Sequence, residues 1–392
     1  MAVIVQKYGG SSVADVERIG RVADRVMAAR RGGDGVVVVV SAMGKTTDEL
    51  LGLARRVAPE PPRRELDMLV STGERVTMAL LSMAIQVRGG AAISFTGSQS
   101  GIITDGRHFD ARILEVRPQR IQEELARGTI VIVAGFQGVS RAREVTTLGR
   151  GGSDTTAVAL AAALGAARCE IYSDVDGVYS ADPRVVPEAV HLPEIAPGVL
   201  AEMAEAGAKV INAQAVEWAR RSGVPIHARR TADAPSTGRE TVCARGEGRA
   251  RVRAVVGLDR VVHVAVPRRA FRRFARVAAA VGLGLLDVAL VGEEACCDVP
   301  VANVPDWDSC RARVASEVEA SFEAGFATVS VVGEGLASGG ATVEGVLDVL
   351  EGLGEVPRAV HGGPLRVSAT VRGVALVDAQ RALHAAFVVN AA

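Results

Sequence analysis

Three short polar loops hold the residues of this 392-residue chain that could do chemistry. They read YGGSS at 8–12, SAMGKTTD at 41–48 and TTLGRGGSDTTA at 146–157. Glycine lets a backbone come close to a ligand, and the free N–H groups at the start of a helix attract anions. Each loop alone is also compatible with an ordinary capped helix. Together, the three loops favour a site for a phosphate group.

Lysine is rare in the chain, and its positions are informative. Of the 45 lysines and arginines, only Lys7, Lys45 and Lys209 are lysines. An ammonium group is a compact charge that a planar guanidinium does not imitate. Lys7 comes directly before the first loop and Lys45 lies in the second. Lys7 is therefore a candidate for contact with a phosphate, although a compositional bias towards arginine would also leave a few lysines behind.

Two familiar motifs are excluded by their spacing. The GKT at 44–46 is not a nucleotide P-loop, because the position five residues before Gly44 is Val39 and not glycine. The aspartate-rich stretch at 172–184 lacks the glutamate that a calcium-binding loop needs at its twelfth position.

Apolar runs of strand length alternate with helical patterns in the first 230 residues. We predict strands at 3–8, 35–44, 91–95, 129–136 and 169–174. We predict one helix at 65–88 and another whose buried face carries Val16, Ile19, Ala23, Val26 and Met27. This alternation predicts an α/β fold with a mainly parallel sheet sandwiched by helices, and such sheets bind ligands at the carboxyl ends of their strands.

Composition limits the possible roles and the location of the protein. The formal net charge is zero, which argues against nucleic acid or a membrane surface as the main partner. No apolar run reaches the roughly 18 residues of a spanning helix, and no signal peptide is recognised, so we expect a cytoplasmic protein. The five cysteines show no zinc-binding spacing, and we expect reduced, mostly buried thiols.

The pattern changes after a polar, arginine-rich stretch at 229–251, where we place a linker. Beyond it, two short β-α-β-β-α-β modules are predicted, with helices at 268–283, 309–322, 341–354 and 376–387. These modules offer no cluster of carboxylates or histidines in the sequence. We therefore expect them to serve regulation or assembly.

Eight motifs in the first 230 residues resemble those of the aspartate kinases, which have the amino-acid kinase fold. The motifs are VQKYGGSSV at 5–13, VVVVSAMGKTTDEL at 37–50, STGERV at 71–76, SFTGSQSGIIT at 94–104, VAGFQG at 133–138, TTLGRGGSDTTA at 146–157, EIYSDVDGVYSADPR at 170–184 and GAKVINAQAVEWA at 207–219. The resemblance implies a catalytic domain at 1–245 and a tandem ACT-like region at 246–392. It also implies transfer of the γ-phosphate of ATP to the β-carboxylate of L-aspartate, with Mg²⁺ as the metal.

The resemblance also implies roles for particular residues. Lys7 and Asp154 are the implied catalytic residues, and Asp154 is a candidate to orient Mg²⁺, which the ATP phosphates would otherwise hold. Glu74 would bind the α-ammonium of aspartate and Arg150 its α-carboxylate. The implied assisting residues are Ser41, Thr47 and Ser153. The implied ATP-binding residues are Lys7, Gly9, Gly10, Ser11, Ser173, Asp174, Tyr179, Asp182, Arg184 and Lys209. Lys45 receives no role.

The C-terminal region departs from the family pattern at its turns. VPRRAFRRF stands at 266–274, where the family has a Pro-Asp-x-Pro-Gly turn, and AVHGGPLRVS at 359–368 replaces a Ser-Thr-Ser-Glu run. Those turns form the inhibitor sites of the family, so we expect weak or absent feedback inhibition by lysine or threonine. A homodimer or larger homo-oligomer is expected through this region.

Two alternative functions remain open at this stage. The first is a kinase for a related carboxylic amino acid, such as an aspartate derivative or glutamate. The second is a catalytically idle regulatory subunit. Glu74 and Arg150 favour a free α-amino acid as substrate, because each then has a charged partner.

Overall fold

The central sheet has eight strands, and the first 245 residues supply all of them. The computed structural model describes residues 2–149, 151–208, 210–233, 238–244, 251–302, 304, 306–336 and 340–389. In this first part the strands are β1 Val3–Tyr8, β2 Gly35–Val40, β3 Ala92–Phe95, β4 Ile102–Thr104, β5 Ile113–Val116, β6 Ile130–Ala134, β7 Gln137–Ser140, β8 Val145–Thr147, β9 Arg168–Ser173, β10 Val178–Tyr179, β11 His191–Leu192, β12 Glu194–Ile195, β13 Ile226–Arg230 and β14 Glu240–Cys243. The helices are α1 Val16–Arg31, α2 Thr46–Val57, α3 Arg63–Val70, α4 Thr72–Val87, α5 Gln119–Ala126, α6 Gly152–Leu164, α7 Pro197–Glu205 and α8 Ala213–Ser222.

The strand order is β12-β14-β13-β9-β1-β2-β6-β3. All pairs from β13 to β3 are parallel, and only the β13–β14 pair is antiparallel. Helices α1 and α4 pack on one face of the sheet, and α6 packs on β1, β2 and β9 from the other. The predicted sandwich with a mainly parallel sheet is confirmed. The loops after β1, β2 and β6 consequently meet at one edge of the sheet.

The sequence did not reveal a second, smaller sheet in this part. Its strand order is β5-β4-β7-β8, and two of these strands have only three residues. Strand β8 pairs with β7 in antiparallel fashion and leads directly into the loop before α6. This sheet therefore positions that loop.

The predicted buried face of α1 is wrong at its first residue. Val16 is 75% exposed, whereas Ile19, Ala23 and Val26 are buried as expected. The side chain of Asp15 caps the helix by accepting a hydrogen bond from the amide of Arg18. Val16 thus begins the first turn, at a point where the helix has not yet reached the core.

The helix expected at 65–88 is two consecutive helices, α3 and α4. The combined stretch Arg63–Val87 is long and apolar enough to span a membrane by length and composition alone, although Asp67, Glu74 and Arg75 interrupt its apolar residues. Its residues Leu81 and Ile85 are fully buried in the core with Val38 of β2. These contacts are those of a core helix.

The C-terminal part forms a six-stranded antiparallel sheet in the order β16-β17-β15-β18-β20-β19. Its strands are β15 Arg251–Pro267, β16 Leu286–Val291, β17 Glu294–Pro300, β18 Ser321–Glu334, β19 Ala359–Gly362 and β20 Arg366–Arg372. Its helices are α9 Phe271–Ala280, α10 Trp307–Glu317, α11 Ala341–Gly352 and α12 Leu376–His384. One apolar core packs against α9 and α10, and a second packs against α11 and α12. This arrangement agrees with the two predicted ACT-like modules.

One expectation for this region is wrong. The helix predicted to reach residue 322 ends at Glu317, and Phe322 lies on β18 because its ring packs into the apolar core of the first module. The region also contains a buried histidine–carboxylate pair, since Nδ1 of His263 lies 2.8 Å from Oδ1 of Asp298. Asp298 also accepts a hydrogen bond from Thr370 on β20. Strand pairing brings these residues together from distant parts of the sequence.

The chain divides into two compact units that do not follow the sequence order strictly. The first unit comprises Met1–Val178, His191–Ala201 and Lys209–Glu247, and the second comprises Tyr179–Val190, Glu202–Ala208 and Gly248–Ala392. The predicted boundary at residues 245 and 246 lies outside the described residues and stays a prediction.

Within the second unit, the segment Tyr179–Val190 is held by elements from the C-terminal region. The buried hydroxyl of Ser180 lies 2.8 Å from Nε2 of His384 on α12. The carbonyl of Ser180 accepts a hydrogen bond from the amide of Val255 on β15. Arg381 of α12 donates to the carbonyl of Val185. Helix α12 and β15 therefore fix the conformation of this segment.

All five cysteines are free thiols, and four of them are buried, as expected. Burial raises the pKa of the Cys243 thiol to about 12. Within the described ranges, no group of three or more His, Cys, Asp or Glu side chains is placed to hold a metal ion.

Candidate active site

The loops after β1 and β2 touch at the edge of the central sheet. The amide of Gly44 donates to the carbonyl of Gly10, and the amide of Ser41 donates to the carbonyl of Tyr8. A Cβ atom on Gly10 would lie 2.9 Å from the carbonyl oxygen of Ala42. Glycine is therefore required at position 10 for the two loops to approach each other.

A buried ion pair lies beside these loops. Nζ of Lys7, on β1, is 2.7 Å from Oδ1 of Asp154, and the two residues are 9% and 6% exposed. Within the described part of the chain, this Asp154 oxygen makes no other contact of hydrogen-bond quality. A Cβ on Gly9 would lie 3.5 Å from the ammonium group, so the glycine leaves space next to it. The pair places a cation and an anion where a phosphate and a metal ion could meet them.

The loop before α6 explains how Asp154 reaches this position. Gly151 is the N-cap of α6 in the left-handed region, with φ of +71°, and a Cβ there would collide with Asn212. Asp154 consequently falls in the first turn of α6, where the helix dipole stabilises negative charge. The next residue back, Ser153, is also buried, and a Cβ on Gly135 would lie 2.7 Å from its Oγ. Arg150 lies outside the described residues.

Glu74 is a second buried carboxylate at this edge, in the first turn of α4. It is 3% exposed, and its Oε1 accepts a hydrogen bond from the amide of Ala42 at 3.2 Å. Its Oε2 is buried and has no hydrogen-bond partner among the described residues. Burial raises the pKa of Glu74 to about 7. An orphaned carboxylate oxygen is costly, and a cationic ligand would satisfy it.

The remaining residues predicted for the substrate lie at the end of β2 and the start of α2. Ser41 and Thr47 are both partly buried there. The amide of Gly9 donates to the carbonyl of Tyr172, which ties the first loop to β9. Ser11 is exposed in a short 3₁₀ turn, Gly10–Val13.

The residues predicted to bind ATP are divided between the two units. Ser173 and Asp174 lie at the end of β9 in the first unit, where the Ser173 hydroxyl accepts from the amide of Val175. Tyr179, Asp182 and Arg184 belong to the second unit, where the Asp182 carboxylate pairs with Arg184 at 2.7 Å. Lys209 lies outside the described residues.

A polar layer that the sequence did not reveal supports β1 from its other face. Glu170 on β9 is buried and accepts hydrogen bonds from Gln6, Arg168 and Arg229. Burial acts to raise the pKa of Glu170, but these hydrogen bonds outweigh it and the pKa is lowered. The ionised Glu170 side chain links β1 to β9 and β13. These contacts fix the position of β1, which carries Lys7.

Sequence reasoning also missed Asp67, a fully buried carboxylate on α3. It accepts hydrogen bonds from Thr147 at the end of β8 and from the amide of Phe109, and it contacts His108. No motif marks it, because its partners are distant in the sequence.

The fold and the site together define an amino acid kinase. A sequence model of the amino acid kinase family matches residues 2–229, and the chain belongs to this family. The aspartokinase of Mycolicibacterium smegmatis is 44% identical over 408 aligned residues, which cover 99% of this chain and 96% of the relative. The aspartokinase of Corynebacterium efficiens is 58% identical over 230 residues, which cover 58% of this chain and 55% of the relative. Within the family, the chain is therefore a member of the aspartokinases.

A solved structure of Escherichia coli aspartokinase III, in complex with aspartate and ADP in the R-state, has a similar fold. The TM-score is 0.85 at 24% identity, and the match covers 98% of this chain and 99% of that chain. The resemblance to aspartate kinases inferred from the eight motifs is confirmed, as is the expected fold class.

Proposed function

We propose that this protein transfers the γ-phosphate of ATP to the β-carboxylate of L-aspartate, giving ADP and 4-phospho-L-aspartate. The observation that supports this best is the buried Lys7–Asp154 pair at the same sheet edge as the orphaned oxygen of Glu74. The names of the relatives, and the aspartate and ADP in the E. coli structure, agree with it.

The proposed reaction requires stabilisation of negative charge more than it requires proton transfer. The β-carboxylate is ionised near neutral pH, so no general base is required. Its oxygen forms a bond to the γ-phosphorus while the bond to the ADP oxygen breaks, and both reactants are anions. Lys7 would stabilise the transferring phosphoryl group, and Gly10 and Ser11 would supply backbone donors. Gly9, whose amide is bonded to the carbonyl of Tyr172, would leave space for the phosphate beside the ammonium group.

Glu74 would bind the α-ammonium of aspartate, because that cation satisfies the buried Oε2. Arg150 would pair with the α-carboxylate, since a guanidinium can bind both of its oxygens. Ser41, Thr47 and Ser153 would donate further hydrogen bonds to the substrate. These contacts would hold the β-carboxylate in line with the phosphorus.

ATP would contact the positions predicted for it, which are Ser173, Asp174, Tyr179, Asp182, Arg184 and Lys209. A magnesium ion fits the residues present, because Mg²⁺ usually keeps several waters and needs only one or two protein carboxylates beside the phosphates. Asp154 would be its protein ligand or would orient Lys7. When bound, the ion neutralises charge on the phosphates.

A hydroxamate assay tests the proposed function, because hydroxylamine traps an acyl phosphate. With ATP and Mg²⁺, we expect product with L-aspartate and little with glutamate or aspartate derivatives. Lys7→Met should lower kcat by about a thousandfold with little change in the KM of aspartate, since the ammonium acts mainly in the transition state. Preference for another amino acid would redefine the substrate. Absence of ADP with every substrate would leave the regulatory-subunit alternative.

We also propose that lysine and threonine inhibit this protein weakly or not at all. Helix α9 follows a 3₁₀ turn, Arg268–Ala270, which contains no glycine, and the amide of Arg268 already donates to the carbonyl of Glu293. Arginine side chains do not reproduce the backbone donors that a glycine turn offers to an effector carboxylate. The catalytic domain at 1–245, the ACT-like region at 246–392 and homo-oligomerisation through that region are parts of the same proposal.

A further inference from the structure

Among the described residues of the first unit, Asp67 is the most completely buried carboxylate that the proposed chemistry does not use. Its exposure is 0%, and it lies on α3. Its Oδ1 accepts hydrogen bonds from the Thr147 hydroxyl at 2.6 Å and from the Phe109 amide at 3.0 Å. Its Oδ2 lies 2.6 Å from Nδ1 of His108. One carboxylate thus joins three separate stretches of chain, and we call these four residues the Asp67 latch.

The loop on one side of the latch has an unusual backbone. Phe109 has φ of +72°, in the left-handed region that a bulky residue seldom occupies. Its amide hydrogen bond to Asp67 holds it there. The following residue, Asp110, lies against Gly149, where a Cβ would be 2.9 Å from the Asp110 Oδ1. The Asp67 latch therefore holds residues 108–110 against Gly149, at the start of the glycine-rich loop before α6.

The other side of the latch is the strand that feeds the glycine-rich loop. Thr147 is the last residue of β8, and its carbonyl accepts from the amide of Ala111. Two residues later the chain reaches Gly149, and α6 begins at Gly152. Asp67 therefore fixes both the strand before the loop and the segment that packs on it.

We propose that Asp67 is a positioning residue for the amino-acid substrate, acting through His108, Phe109 and Thr147 to hold the loop between β8 and α6. This inference rests on the proposed function, because that loop includes Arg150 in the sequence, the residue proposed to bind the α-carboxylate of aspartate. The latch touches neither Lys7 nor the loop after β1 in any contact seen within the described ranges. Its loss should therefore weaken binding of aspartate and leave binding of ATP unchanged.

A matched pair of substitutions on β8 tests the latch. Thr146 and Thr147 are neighbours, both are fully buried, and each makes one side-chain hydrogen bond of 2.6 Å, to Thr104 and Asp67 respectively. Thr147→Val should raise the KM of aspartate about tenfold, the loss expected for a hydrogen bond to a buried charge. Thr146→Val should leave it within about twofold. Thr147→Ser, which keeps the hydroxyl, should restore the wild-type value.

His108 supplies a second test that does not depend on a buried position, since its side chain is 22% exposed. His108→Ala should raise the KM of aspartate, and His108→Asn, which places an amide donor near the former Nδ1, should restore it. The KM of ATP should stay unchanged in both. Folding is checked in each variant by its urea unfolding midpoint.

Two results would overturn the inference. The first is an equal effect of Thr146→Val and Thr147→Val on the KM of aspartate. The second is a parallel rise in the KM of ATP and of aspartate, which would indicate general loosening. Formation of aspartyl hydroxamate by the unaltered protein decides the proposed function separately, so the latch can fail while that function stands.

Discussion

Burial of the Glu74 carboxylate lowers the stability of the folded protein and leaves an oxygen that could bind a cationic substrate group. Its carboxylate is buried with one oxygen unpartnered, and burial raises its pKa from 4.5 to about 7. In the unfolded chain the same group ionises near the lower value. Between these two pH values the native state holds a proton that the unfolded state has lost, so stability falls as the pH rises from 4.5 to 7.

Glu74→Gln should consequently stabilise the protein while impairing its activity. At pH 8 we expect the free energy of unfolding to rise by about 3 kcal/mol, because the variant buries no ionised carboxylate. The gain should disappear below pH 4.5, where the wild-type group is protonated in both states. Urea unfolding at several pH values measures this, and aspartate kinetics should show a raised KM. A stability gain that does not depend on pH would contradict the assignment.

At the residue scale, the polar, glycine-bearing loops pointed to Lys7 and Asp154, whereas the role of Glu74 came only from the resemblance of STGERV to the family motif. The structure brings Lys7 and Asp154 into contact. Asp67 was missed because an aspartate on a helix usually faces water. Its partners His108 and Thr147 are 41 and 80 residues away, and only the folded chain brings them together.

At the scale of elements, the start of α4 must lie close to the loop after β2. A Cβ on Gly73 would be 2.8 Å from the Cβ of Ala42, whose amide hydrogen-bonds to Glu74. Glycine at position 73 therefore permits the contact that holds the Glu74 carboxylate.

Gly73→Ala should separate the two elements. We expect a loss of stability of about 1–2 kcal/mol from overpacking, together with a higher KM for aspartate. Gly52→Ala is the control, because Gly52 is exposed in α2 and a Cβ there meets nothing within 4 Å. That change should raise stability by about 0.5–1 kcal/mol. Urea unfolding and aspartate kinetics are measured for both variants. Equal changes in stability and in the KM of aspartate would contradict the requirement for close approach at Gly73.

The long elements were predictable and the short ones were not. Strand β2 is a run of valines buried on both faces, so its sequence shows no alternation and indicates a central strand. Strands β4 and β8, with three residues each, are too short to show any period. The small sheet, whose strand β8 supplies Thr147 to the Asp67 latch, could therefore not be predicted from the spacing of apolar residues.

At the scale of the whole molecule, the C-terminal region has an antiparallel sheet consistent with ACT-like modules, and we predict from its sequence that it binds effectors weakly or not at all. Phosphorylation of aspartate should therefore change little when lysine and threonine are added, singly or together, at millimolar concentration. The physical reason is that Arg268 and Arg269 occupy the turn before α9, where glycine would let an effector carboxylate approach the backbone amides. Strong inhibition at submillimolar effector, measured by ADP release, would refute this expectation.

The sequence suggested one boundary between an N-terminal and a C-terminal region. The second compact unit, however, also contains two segments that precede this boundary. Tyr179–Val190 lies early in the chain and clusters with the C-terminal unit. Neither periodicity nor composition shows this, because the contacts of Ser180 with Val255 and His384 span 75 and 204 residues.

This interleaving has a practical consequence for anyone who wishes to dissect the gene. A fragment that stops near residue 247 would deprive Ser180 of the imidazole and the amide that saturate its polar atoms. The upstream half is thus a poor candidate for expression by itself. An exchange of C-terminal halves between homologous chains would have to carry along the surface that receives this early segment.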